Sequence, residues 1–61
     1  MDQASAFRTR AAAERTAAAE CKLPNRRAMH ERSAEAWEMM ALQVEDTAAR
    51  SLVNEAAKAA R

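Results

Sequence analysis

Apolar residues recur along this chain at spacings of three and four, the period of an α-helix, and one short segment breaks the pattern. Before the break, Ala4, Phe7, Ala11, Ala18 and Cys21 fall on one stripe that Glu14 interrupts. After it, Ser33, Trp37, Met40, Ala41, Val44, Ala48 and Leu52 fall on another. The break is Lys22-Leu23-Pro24-Asn25. Proline drives the residue before it out of the helical region, and its fixed φ suits the first position of a new helix. Asn25 is a competing N-cap. The pattern therefore predicts a helix over about 3–21, a turn over about 22–24 and a second helix over about 25–59. At 1.5 Å per residue these rods measure roughly 28 and 52 Å. A connection this short sets helices side by side and antiparallel. The alternative, one helix kinked at Pro24, costs about 3 kcal/mol for a mid-helix proline.

The second helix carries a further apolar stripe nearly opposite the first: Met39, Leu42, Ala49, Val53, Ala56 and Ala60, with Asp46 in the one missing position. A helix in a simple hairpin needs one apolar face. Two faces imply two neighbours, and the shorter helix can shield only the first half of the longer one. The expectation is an all-α, antiparallel two-helix hairpin of unequal helices that dimerises into a helical bundle, with residues 1–61 forming a single domain. Phe7, Trp37, Met40, Val44 and Leu52 are expected to build the main seam, and Met39, Leu42 and Val53 to meet the second neighbour.

Composition sharpens the need for a partner. Of 61 residues, 18 are alanine and none is glycine. Without the alanines and Cys21, the 49% hydrophobic content shrinks to eleven larger side chains. A chain this short buries only about 60% of its unfolded surface. Opposing the entropy of ordering it, at about 1.5 kcal/mol per residue, is hard with so few large side chains. A β protein, a disulfide-stapled domain and a self-contained enzyme are all excluded as expectations. Ten Lys/Arg against nine Asp/Glu leave a net charge of +1, too little to attract nucleic acid or anionic lipid over the whole surface. The charge is unevenly placed: +3 over residues 1–32 and −2 over 33–61. The lone Cys21 permits no internal disulfide. With no membrane-length apolar run and no apolar leader core, the chain is expected to be soluble and cytoplasmic.

Little in the sequence points to chemistry. The absence of glycine excludes glycine-built phosphate loops. His30-Glu31 begins like a zincin motif, but Ala34 stands where the second histidine belongs. Cys21 and His30 flank the turn, yet a nucleophilic pair also needs an orienting group, oxyanion donors and a pocket. We expect no enzyme activity, cofactor, metal or small-molecule substrate. Cys21 reads as a small packed residue, and His30 as a ring at the edge of the apolar stripe with one wet nitrogen. Trp37 reads as the anchor where the helices cross. Lys22, Arg26, Arg27 and Arg32 cluster at the turn, where basic charge opposes the dipole of a helix start. They are the candidates for phosphate contact, in nucleic acid or on an acidic partner, although no aromatic residue is interleaved for base stacking. The i,i+4 pairs Arg10–Glu14, Arg27–Glu31 and Asp46–Arg50 read as solvated supports of the helices.

From Phe7 to Ala41 the run resembles a group of short bacterial helical-hairpin proteins. These show an aromatic-Arg-x-x-Ala segment, a proline turn, then Ala-x-x-Trp-x-x-x-Ala. The matching positions are Phe7, Arg8, Ala11, Pro24, Ala34, Trp37 and Ala41, while Leu23 and Met39-Met40 depart from the pattern. The resemblance covers a little over half of the chain and implies a helical hairpin with no assigned activity. The plan is also similar to that of Rop, an RNA-binding family whose hairpins dimerise as four-helix bundles, although its helices are of equal length. The functional expectation is a small non-enzymatic interaction or regulatory module that self-associates or meets a partner helix. The alternative is a nucleic-acid-binding regulator that uses the basic hairpin end.

Overall fold

The computed structural model describes residues 2–60 as two α-helices: α1, Gln3–Glu20, and α2, Pro24–Ala59. They pack against each other as an antiparallel hairpin. Its dimensions are 58 × 20 × 9 Å and its radius of gyration is 16.5 Å. A globular chain of this length would have a radius near 11 Å, so this is a flat rod. Its length is that of α2 alone, about 54 Å at 1.5 Å per residue. The second helix, of 36 residues, is twice as long as the first, of 18.

Both helix starts follow from local chemistry. Asp2 caps α1, its Oδ1 accepting the Ser5 backbone N–H at 2.7 Å. Leu23, extended at φ −90° and ψ 118°, precedes α2 and offers no side-chain cap. Pro24 is the first helical residue because it has no N–H to leave unpaired. Asn25 is therefore inside the helix and does not cap it.

The bend contains no positive-φ residue. Helices commonly end on a left-handed glycine that helps satisfy the last carbonyls, and this chain has none. Cys21 turns extended instead, at φ −82° and ψ 128°, which ends α1 one residue before the predicted boundary. The Cys21 N–H donates to the Ala18 carbonyl at 3.2 Å, and Arg27 adds side-chain donors. Its Nε donates to the Ala18 carbonyl at 3.2 Å and its Nη2 to the Cys21 carbonyl at 3.0 Å. The cation also meets the negative end of the α1 dipole. The basic charge that opposes α2 at its start thus serves the end of its neighbour.

The contact surface is built from small residues. Ala4, Ala11, Ala18, Ala34 and Ala41 are the buried residues, and Ala34 and Ala41 have no exposed surface at all. They repeat at intervals of seven on each helix. An alanine centre lets helix backbones approach closely, because interaxial distance follows the side chains at the contact. Phe7, Trp37, Met40 and Val44, expected to build the main seam, do not fill its centre. These four are half-buried and flank it. Leu52 shares their stripe but projects past the end of α1 and is exposed.

Candidate interaction surface

Side chains on both flanks of the alanine seam fix how the helices register. On one flank Phe7 meets Trp37, with ring centroids 5.6 Å apart and planes tilted by 34°. The Arg10 guanidinium lies 5.1 Å from the centre of the Trp37 ring, within cation–π range. Seven residues further along α1 and seven back along α2, Glu14 Oε2 and His30 Nδ1 lie 2.7 Å apart. Glu14 thus interrupts the apolar stripe in order to meet His30. The histidine occupies the stripe edge as expected, with a carboxylate as its neighbour, and Cys21 Sγ approaches the Leu23 carbonyl at 3.6 Å.

The other flank is ionic. Arg8 makes a two-pronged contact with Glu45, at 2.9 and 2.6 Å. Arg15 donates to Glu38 through Nε and Nη2, at 3.2 and 2.7 Å. Again the step is seven forward on α1 and seven back on α2. Both pairs are about half exposed, so they specify alignment more than they stabilise.

Two of the local pairs expected from i,i+4 spacing are replaced by contacts between helices. Arg10 lies over Trp37, which leaves Glu14 to His30. Arg27 reaches back to α1, not forward to Glu31. Only Asp46–Arg50 forms as expected, at 3.2 Å, and it lies beyond the end of α1 where no competing helix is present. In the two proximal cases a partner across the seam offers stacking or a carbonyl inside a less hydrated groove, which a solvated pair does not.

Two carboxylates titrate below their ordinary values. The Ser5 N–H holds Asp2 down, and the Arg8 guanidinium holds Glu45 down from an ordinary 4.5. A depressed folded-state value means that stability is full above the unfolded value and is lost as pH falls through the folded one. The melting temperature is therefore expected to stay level from pH 7 to about 5 and to decline as these groups protonate below their ordinary values of 3.8 and 4.5. Thermal melts by circular dichroism across pH 3–7 check this, and a level profile down to pH 3 contradicts it.

The remaining expected site residues are exposed. Met39, Leu42, Leu52 and Val53 are 60, 57, 67 and 67% exposed. Leu42 borders the ionic flank beside Arg8, Ala12, Arg15 and Glu38. Val53 lines a shallow apolar hollow with Ala49, Arg50 and Asn54. At the basic end Lys22, Arg26 and Arg32 are exposed, while Arg27 is held by backbone carbonyls. Arg27 is itself exposed, with its Nε and Nη2 engaged by those carbonyls.

Among the described residues no three His, Cys, Asp or Glu side chains are grouped to hold a metal ion. No described helix is long and apolar enough to cross a membrane. Sequence reasoning placed Ala4, Ala11, Ala18 and Ala41 on the packed stripes and missed Ala34 and the ion pairs between helices. Their signal was present: Arg8 and Arg15, and likewise Glu38 and Glu45, stand seven apart, as do Ala34 and Ala41. No family model matches the chain, and no curated protein or solved structure shows significant similarity to it.

Proposed function

We propose that this protein is a small non-enzymatic interaction module that works as a homodimer, two hairpins joining into one all-α bundle. The observation that supports this is the unmatched C-terminal end of α2. From Glu45, which still meets Arg8 of α1, to Ala59 every residue of α2 is exposed, and Leu52 and Val53 lie on the part that α1 does not reach. An isolated helix of about 15 residues is marginal in water, and most helical stability in proteins comes from packing an apolar face. Large apolar side chains held in a row on such a helix mark a binding surface. The alanine seam of the hairpin is thin for a self-sufficient core, which favours a fold completed by association.

Sedimentation equilibrium alongside circular dichroism tests the proposal. A helical dimer at micromolar concentration, with a melting temperature that rises with concentration, is the expected result. A helical monomer that melts cooperatively at the same temperature from micromolar to millimolar concentration overturns it. A largely unfolded monomer also overturns self-association and points to folding on a foreign helix.

A further inference from the structure

We infer that the second copy pairs through the outer stripe of α2, antiparallel, with Leu42 of each chain opposite Val53 of the other. This inference rests on the dimer proposed above and specifies its face and register. Met39, Leu42, Asp46, Ala49, Val53 and Ala56 alternate at three and four without a break, the repeat of a two-stranded helical seam. At 100° per residue they lie roughly 60–160° around α2 from Ala41, which faces α1. α1 therefore leaves most of the stripe open and borders it only at Leu42, beside Arg8, Ala12 and Arg15. The large members are exposed in the single chain.

Charge and size select the register. In an antiparallel pair each layer joins the first apolar position of one heptad to the second of the other. Three alignments are possible within the stripe. One sets Asp46 against the partner's Leu42, and Glu35 against its Val53, which desolvates carboxylates on apolar side chains. Another sets Asp46 against Ala56 and carries it away from every partner cation on the stripe. The third sets Met39 against Ala56, Leu42 against Val53 and Asp46 against Ala49, with large side chains matched to smaller ones. It also brings Asp46 of each chain beside Arg50 of the other. Within one chain Arg50 Nε already lies 3.2 Å from Asp46 Oδ2, and its terminal nitrogens can reach the second carboxylate. The two-fold axis would then pass through an alternating cluster of two carboxylates and two guanidiniums, whose charges sum to zero.

Site-directed crosslinking of the full chain tests this. In a Cys21→Ser background, Leu42→Cys and Val53→Cys chains are made separately, mixed and mildly oxidised. Each carries one thiol, so no bridge can form within a chain. The expected main product is the mixed Leu42→Cys/Val53→Cys dimer, in excess over both symmetric products. Predominance of the symmetric products indicates parallel pairing and overturns the register. A dimer by sedimentation that crosslinks no better than a Glu55→Cys control overturns the face but leaves self-association standing. A monomer by sedimentation overturns both. Charge reversal gives a second measurement that does not depend on thiols. Asp46→Arg and Arg50→Asp chains should each lose the dimer, whereas their equimolar mixture should regain it. Failure of the mixture to associate, with both chains helical, rejects the contact between Asp46 and Arg50 of opposite chains.

Discussion

Replacing Ala34 with leucine is expected to force the two helices apart and to destabilise the hairpin by about 2–3 kcal/mol. Ala34 has no exposed surface, so an isobutyl group there must displace the α1 backbone or leave its favoured rotamer. The displacement would be felt along the whole seam. Ala11 and Ala41 belong to the same row, and the Arg15–Glu38 contact at 2.7 Å depends on the same spacing. For a domain of this size 1 kcal/mol moves the melting temperature by roughly 4–8 °C, so the drop should exceed about 8 °C. Ala36→Leu, two residues away on the exposed side of α2, adds the same atoms and is the control. It should leave the melting temperature within a few degrees, since surface substitutions usually lie within about 0.5 kcal/mol. Equal melting temperatures for the two variants would contradict the alanine seam.

Trp37→Ala is expected to cost about 3 kcal/mol, the low end for removing a large aromatic residue, because the ring is only half-buried. Three contributions are lost together. The ring covers part of the seam, meets Phe7 at 5.6 Å and supports the Arg10 guanidinium at 5.1 Å. Aromatic pairing adds roughly 0.5–1.5 kcal/mol beyond the buried area. Trp37→Phe should recover part of the loss by keeping a ring against Phe7. Chemical denaturation followed by circular dichroism gives the comparison. A Trp37→Ala variant within 0.5 kcal/mol of the parent would show that the ring does not join the helices.

The two predictions bear differently on the sequence. Trp37 was legible from size and position as a contact between the helices, which its stacking on Phe7 bears out. Ala34 was not, because side-chain volume is the ordinary measure of a core position. In a closely packed helix pair that measure inverts: the smallest residues occupy the line of contact, and Phe7, Trp37 and Val44 spread over its borders. The helices and the bend were legible because Pro24 constrains backbone dihedrals locally, whatever the tertiary context. The boundary errors of one residue at Cys21 and Pro24 are of the usual size for helix ends.

Arg27 could not be assigned from its own neighbourhood. Glu31 stands at the favourable local spacing, and only the folded hairpin brings the Ala18 and Cys21 carbonyls within its reach. Arg8 and Arg15 were legible in principle, because stepping seven forward on α1 and seven back on α2 carries Arg8–Glu45 onto Arg15–Glu38. The outer stripe of α2 was read directly from its alternation, since no intervening element disturbs it.

The matched heptads also govern where this chain can tolerate changes in length. Deleting a single residue midway through α1 would rotate everything after it by about 100° and turn one row of methyl groups toward water. Only an insertion of seven in each arm, placed symmetrically about the bend, would lengthen the paired section without scrambling its partners. The overhanging end of α2 is free of that constraint within a single hairpin. Any intolerance to insertions and deletions there would have to come from a second molecule.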